Sequence, residues 1–124
     1  ANDLSLVLRL TRRGRSVLFT GDVSMDGEPD FIPDADVLKV AHHGSKKSTS
    51  ERFLEMADPE IAVVSVGENN YGHPSEETLE RLRDAGAAVY RTDQCGAITI
   101  HVDPGGEMSV KTYLPRRAWK NDVE

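Results

Sequence analysis

The sequence is poor in cysteine, in basic charge and in long apolar segments. Cys95 is the only cysteine among 124 residues, which excludes an intrachain disulfide and a cysteine-rich zinc site. Any metal must therefore be held by histidine and carboxylate side chains. No apolar run approaches the roughly 20 residues that a membrane-spanning helix needs, and the first residues lack the basic and apolar pattern of a signal peptide. We expect no membrane contact by this chain itself.

The shortage of basic residues weighs against a simple groove for nucleic acid. Lysine and arginine number 15 against 21 aspartate and glutamate residues, so the formal net charge is −6. A metal ion can nevertheless hold a phosphate where the surrounding protein is acidic, so charge is only a weak argument against DNA. The remaining composition is that of one globular domain spanning residues 1–124, with a polar tail from about residue 115.

Apolar runs alternate with turn-forming clusters along the chain, a pattern that predicts an α/β fold. Strands are predicted at residues 4–10, 16–20, 36–41, 61–66, 87–90, 97–102 and 108–114. One helix is predicted after Ser50 and a second from Pro74 to a glycine C-cap at Gly86. The order is thus a hairpin, then alternating strands and helices, then a closing hairpin.

Four candidate ligand side chains follow three of the predicted strands: Asp22, His42, His43 and His73. Loops at the carboxyl ends of strands are where ligands usually bind in α/β folds. Carboxylates and imidazoles are also common metal ligands. These loops are therefore predicted to form a site at one edge of the sheet.

His42 and His43 are the strongest candidates, because they end an apolar strand and are followed at once by Gly44-Ser45. If the strand continues through the pair, the two rings point to opposite sides and only one of them can bind a metal directly. Strand parity does not say which one. The alternative is a pair of partly buried, hydrogen-bonded histidines.

The other candidates have equally plain structural alternatives. Asp22 follows a glycine and can simply cap a turn. His73 lies in a loop where its neighbours Asn70 and Tyr71 can act as turn formers. Lys46 and Lys47 could meet a phosphate, although lysines before a helix are usually solvated. His101 lies inside a strand pattern and is interpreted as structural.

Five segments together carry a family resemblance, and they occur in the family's order. They are Asn2-Asp-Leu-Ser-Leu-Val-Leu8, Leu18-Phe-Thr-Gly-Asp22, Asp36-Val-Leu-Lys-Val-Ala-His-His-Gly-Ser45, Ser65-Val-Gly-Glu-Asn-Asn-Tyr-Gly-His-Pro74, and Tyr90-Arg-Thr92 with Gly96. From residue 2 to about residue 102 the chain resembles the C-terminal part of the metallo-β-lactamase-like domain of the ComEC family. That family of bacterial competence proteins moves transforming DNA across the inner membrane.

The resemblance implies an αββα sandwich, of which this chain is the C-terminal portion, with a mixed sheet and helices on one face. It also implies one or two metal ions, zinc or manganese, that activate water for hydrolysis. By resemblance Asp22 bridges the metals, His43 is a metal ligand with His42 behind it, and His73 is a proton donor or phosphate contact near the substrate. The expected substrate-binding residues are Ser45, Lys46 and Asn70.

The chain departs from the family in one large respect, because the His-x-His-x-Asp-His motif that supplies most metal ligands does not occur in it. The expected site is therefore half a site. Either the chain folds on its own as a fragment, or two copies associate as a homodimer to cover an exposed sheet, or metal binds weakly. Catalysis by this chain alone is not expected, and its natural partner would be the N-terminal half of the domain.

The predicted function is that of the parent domain: a metal-dependent hydrolase, acting as a DNA phosphodiesterase or nuclease during uptake in natural transformation. The domain would belong to an inner-membrane protein, with the extracytoplasmic side favoured. One alternative is a non-catalytic half-domain for structural or partner binding. Another is a hydrolase of a different phosphodiester, such as a phosphorylcholine ester.

Overall fold

The computed structural model describes residues 5–116, which form an α/β fold of seven strands and three helices. The strands are Leu8–Arg12 (β1), Arg15–Phe19 (β2), Val37–Lys39 (β3), Ile61–Val64 (β4), Ala88–Arg91 (β5), Ile98–Val102 (β6) and Met108–Thr112 (β7). The helices are Glu51–Ala57 (α1), Glu76–Asp84 (α2) and Thr92–Cys95 (α3). Within the described range no helix is long and apolar enough to cross a bilayer.

All seven predicted strands and both predicted helices are present, mostly with shorter bounds. Leu4, where the first predicted strand began, and the polar tail beyond residue 116 lie outside the described residues. Helix α3 was not predicted, because four residues are too few to show a helical period. Helix α2 begins after its N-cap Ser75, whose Oγ accepts from the Thr78 N–H at 3.1 Å, so Pro74 lies before the helix and not in its first turn.

Strands β1 to β5 form one mixed sheet in chain order. Strand β1 is antiparallel to β2, and β2 to β5 are parallel to one another. A two-residue turn joins β1 to β2, with positive φ at both Arg13 (51°) and Gly14 (81°), the backbone conformation that suits a tight hairpin. Because β2, β3 and β4 are parallel, their carboxyl ends meet at one edge, as the sequence predicted.

The core lies between this sheet and helices α1 and α2. Leu18, Leu38 and Ala62 are in register on three adjacent strands and are almost completely buried. They belong to one apolar cluster with Phe53 of α1 and Leu82 of α2. Both helices therefore cover the same face of the sheet, which fixes the strand ends that carry the candidate site.

The opposite face of the sheet is only partly covered. The β6–β7 hairpin lies against it, and a cavity between them is lined in part by Leu10 and Val17 from the sheet and by Ile100 from the hairpin. Arg13 and Arg15 bind hairpin carbonyl groups. Beyond the hairpin this face exposes large apolar side chains, and the most exposed of those on β1 and β2 are Leu8 (53%), Leu10 (59%) and Phe19 (42%).

Candidate metal and substrate site at the carboxyl edge of the sheet

The histidine pair lies in a tight turn and not in a strand. Strand β3 ends at Lys39, and three consecutive residues then have positive φ: His42 (50°), His43 (54°) and Gly44 (83°). The left-handed conformation costs a non-glycine residue on the order of 1–3 kcal/mol and persists only where surrounding contacts hold it. The argument that the two rings point to opposite sides assumed a strand through His42 and His43, so it does not apply here.

The turn of residues 42–44 is held between two neighbouring loops. The His42 N–H donates to the Gly21 carbonyl at 2.9 Å, and the Gly44 carbonyl accepts from the Ser75 N–H at 2.9 Å. A Cβ added at Gly44 would lie only 2.6 Å from the Cβ of Pro74. The loops that follow β2 and β4 are therefore joined through this turn.

His43 is exposed, and its ring is oriented by a third contact. Its Nδ1 lies 2.7 Å from the Ser65 carbonyl oxygen. Since a carbonyl can only accept, Nδ1 is the donor, which leaves Nε2 as the ring nitrogen that can bind a metal. Histidines that bind metals usually donate their other ring N–H to a carbonyl or carboxylate in this way. The geometry therefore suits His43 as a ligand through Nε2.

His73 completes a cluster of three imidazoles. Its ring centroid lies 5.4 Å from that of His42, which in turn lies 6.2 Å from that of His43. The Nδ1 atom of His73 is enclosed and has no hydrogen-bond partner among the described residues. Burial, and after it the charges of His42 and His43, lower the pKa of His73 below its ordinary value. The lowered pKa favours the neutral ring, which has one donor and one acceptor nitrogen.

Asp22 lies exposed on the loop that follows β2. Its N–H donates to the Ser5 Oγ at 3.1 Å. Its carboxylate is close enough to Lys39 to influence that ammonium group: burial lowers the pKa of Lys39, and Asp22 partly opposes the change. Asp22 is therefore at the same edge as the histidines, with Lys39 as its charged neighbour.

The donor side chains fit part of a metal-binding set and not a complete one. Within residues 5–116, no group of three or more histidine, cysteine, aspartate or glutamate side chains could hold a metal ion. A stable zinc site in a protein takes three or four protein ligands.

The three predicted substrate contacts occupy different positions. Lys46 is exposed and lines a cleft together with Lys47 and His73. Ser45 is buried (5% exposed), and its Oγ accepts from the Lys47 N–H at 3.2 Å. Asn70 is exposed at the tip of the next loop and is not among the residues that line this cleft. Ser45 and Lys46 thus both line the cleft that includes His73.

Asn69, which the sequence did not single out, organises the loop that carries His73. Its Nδ2 donates to the carbonyl groups of Gly67 (3.0 Å) and His73 (2.9 Å), and its Oδ1 accepts from the N–H groups of Tyr71 (2.9 Å) and His73 (3.2 Å). The available signal was an asparagine two residues before a turn, because asparagine side chains readily bond the backbone ahead of them.

Arg81 on α2 is a second organising residue that sequence reasoning missed. Its guanidinium donates to the carbonyl groups of Thr49 (2.9 Å), Ser48 (3.1 Å) and Lys46 (3.3 Å). These bonds fix the segment that follows the histidine turn. An arginine on the polar side of a predicted helix carries no sequence signal for such a role, because the loop it binds is distant in the chain.

Comparison with known proteins gives one family match and several similar relatives. The family profile described as the Metallo-beta-lactamase superfamily matches residues 4–68. ComE operon protein 3 of Bacillus subtilis (strain 168) is 45% identical over 78% of this chain. Competence protein ComA of Neisseria gonorrhoeae is 35% identical over 96% of it, and Recombination protein 2 of Haemophilus influenzae is 36% identical over 81%. No solved structure matches the chain significantly.

The matches are confined to a small part of each relative. The aligned region covers 13% of the Bacillus protein, 18% of the Neisseria protein and 13% of the Haemophilus protein. The superfamily match over half of the chain, the relatives above 30% identity and the α/β fold with its mixed sheet agree with one another. The chain therefore belongs to the metallo-β-lactamase superfamily and, within it, to the ComEC family of competence proteins.

Proposed function

We propose that this chain is the C-terminal portion of a metal-dependent hydrolase domain that cleaves DNA phosphodiester bonds during uptake in natural transformation. The observation that carries the proposal is the turn of residues 42–44, which joins the loops after β2 and β4 and so gathers Asp22, His43 and His73 at one edge of the sheet. The name of the Neisseria relative, Competence protein ComA, supports the link to DNA uptake.

In this proposal Asp22 and His43 contribute ligands to one or two zinc or manganese ions, and His42 lies behind them. The remaining ligands come from a segment with the His-x-His-x-Asp-His motif, which this sequence does not contain. Such ions supply an activated water and positive charge for the attack on a phosphodiester. His73 and Lys46 contact the phosphate from the protein side, where their cleft is open to solvent.

A second candidate is a non-catalytic half-domain that serves structure or partner binding. It is favoured by the lack of any three-donor group in residues 5–116. The two candidates differ in what the donors at the sheet edge do: in the first they bind metal when the ligand set is complete, and in the second they only pack.

The first test is metal content, measured as zinc and manganese per chain by elemental analysis after dialysis. Asp22→Ala and His43→Ala are compared with wild type and with His101→Ala. His101 is a suitable control because it is an exposed histidine on β6, away from the site. The β6–β7 hairpin contacts the β1–β2 turn, which lies at the opposite end of β2 from Asp22. Metal lost in both site variants and retained in the control supports the hydrolase. A folded wild type without metal means that this chain does not bind metal by itself, and the longer protein then decides between the two candidates.

The second test uses the longer protein that includes the His-x-His-x-Asp-His segment. Removing a residue that merely orients a metal ligand costs about 10- to 100-fold in activity, so Asp22→Ala should reduce phosphodiesterase activity by at least about 100-fold. His101→Ala should leave it unchanged. Equal activity of wild type and Asp22→Ala would eliminate the proposed hydrolase.

A further inference from the structure

Tyr71 is a large aromatic side chain exposed beside the candidate site, and nothing described above uses it. It is 82% exposed at the tip of the loop between β4 and α2. Exposed aromatic rings beside a binding groove commonly serve as platforms on which flat groups stack. Its position next to His73 therefore points to contact with something outside the chain.

The Tyr71 ring stands on an ordered base. The backbone N–H of Tyr71 donates to Asn69 Oδ1 at 2.9 Å, and the same oxygen accepts from the backbone N–H of His73. The ring stacks on His73, with centroids 5.9 Å apart and planes inclined by 27°. One side of the ring thus lies against an imidazole of the site, and the rest of its surface is open to solvent.

The ring also separates two clefts. One is lined by His43 and Glu68, the other by Lys46 and Lys47, and both include Tyr71 and His73. A flat group placed on Tyr71 would hold whatever is attached to it within reach of both clefts. A nucleotide has this form, because a planar base is linked to a phosphate.

Charge makes a smaller contribution than stacking at this place. The two lysines of the second cleft face Glu76 and Glu77, which line the same cleft, and Glu68 lines the first. Attraction of phosphates is therefore largely offset. Stacking of a base on an aromatic ring does not depend on net charge and tolerates any base.

We propose that Tyr71 is a substrate-positioning residue that stacks an unpaired nucleobase and so sets the adjoining phosphate beside His43 and His73. Bases in a duplex are already stacked on their neighbours, so only a single strand or a frayed end offers a free base face to the ring. This inference rests on the proposed function, since it takes DNA as the substrate.

The test is binding of fluorescein-labelled decathymidylate and of a blunt decamer duplex, followed by fluorescence anisotropy at low ionic strength with EDTA present. Tyr71→Ala should weaken single-strand binding by roughly 5- to 150-fold, the range found when a stacking aromatic is removed. Tyr71→Phe should stay close to wild type, because it keeps the ring. Tyr113→Ala is the control, since Tyr113 is 81% exposed but lies just after β7.

Three results would overturn the inference: single-strand binding that Tyr71→Ala leaves unchanged, an equal loss for single strand and duplex, or no single-strand binding by the wild-type chain. Circular dichroism of each variant separates unfolding from lost stacking. The assay requires neither metal nor cleavage, so its outcome is independent of the nuclease test. If Asp22→Ala retains full activity in the longer protein, the hydrolase proposal fails even where Tyr71 stacking holds.

Discussion

Gly44 meets two requirements at once, and both follow from the close approach of two loops. Its φ of 83° is a backbone angle that residues other than glycine rarely adopt. Its Cα also lies so close to Pro74 that an added Cβ would be 2.6 Å from the proline Cβ. The approach of these two residues is what brings the His42 ring to 5.4 Å from His73. A glycine without a catalytic atom thus determines the geometry of the site.

Gly44→Ala and Gly72→Ala form a matched pair of substitutions. Gly72 has a similar φ of 78° but nothing within 4 Å of its added Cβ, so its substitution causes backbone strain alone. Gly44→Ala causes the same strain and an overlap with Pro74, and such overpacking typically costs about 1–3 kcal/mol more. Urea denaturation should show this difference between the two variants. Equal losses would mean that the close contact with Pro74 relaxes without cost.

The lowered pKa of His73 predicts a pH dependence of stability in the chain without metal. The ordinary histidine pKa is 6.5 and the folded value lies below it. Between these two values the unfolded chain binds more protons than the folded chain, so the free energy of unfolding falls as the pH decreases through that window. Above the ordinary value the contribution of His73 is fully present.

Replacing His73 removes that contribution. Chemical denaturation in EDTA between pH 5 and pH 8 should show a shallower dependence for His73→Gln than for wild type. His101→Gln is measured alongside as the replacement of an exposed histidine on β6, away from the site. A His73→Gln slope equal to that of wild type would show that the burial of His73 does not affect its titration.

At the scale of elements, the loop between β4 and α2 is ordered by one side chain. Asn69 makes four hydrogen bonds within the loop, two of them to the N–H groups of Tyr71 and His73. Its neighbour Asn70 is exposed. These two asparagines differ in structural role although they are adjacent and identical in type.

Hydrogen exchange can measure this difference. Asn69→Ala removes the acceptor of the Tyr71 and His73 amide protons, so their exchange should accelerate by about 10-fold or more, as expected for the loss of a hydrogen bond contributing on the order of 1 kcal/mol or more. Asn70→Ala should leave both rates near wild type. Unchanged exchange in Asn69→Ala would mean that other contacts hold the loop.

At the scale of the whole molecule, one face of the sheet is incompletely covered. Helices α1 and α2 bury the other face, while the β6–β7 hairpin leaves Leu8, Leu10 and Phe19 substantially exposed. Contiguous apolar surface of this kind marks an interaction site. The relatives are several times longer than the aligned region, so in a longer chain this face is available to another segment.

For the chain by itself we expect a second copy to cover this face. Sedimentation velocity should show an average mass that increases with concentration for wild type and increases less for Leu8→Lys. Phe31→Lys is the matched control, because Phe31 is 74% exposed, lies in the loop before β3 and changes the net charge equally. Identical behaviour of the two variants would exclude this face as the contact between copies.

Several features could be predicted from the sequence alone because they depend on neighbouring residues. Apolar runs identified the seven strands, and the polar connection of residues 11–15 with Gly14 identified the hairpin. A serine and threonine cluster identified the start of α1, and Pro74 with the acidic residues after it identified α2, although its N-cap is Ser75. The alternation of strands and helices predicted that the loops after three of these strands share an edge, and the parallel pairing of β2, β3 and β4 places their carboxyl ends there. The resemblance carried by those loops led to the family.

The remaining features depend on contacts between residues far apart in the chain. No local pattern shows that Gly44 packs on Pro74, that the His43 ring donates to Ser65, or that Arg81 binds the carbonyl groups after the histidine turn. The sequence left open whether the strand continues through His42, and tertiary contacts hold a left-handed turn there. The residue types at the site were determined by the sequence, and their mutual geometry was decided only by the tertiary structure, because packing forces outweigh the weak local preference of each residue.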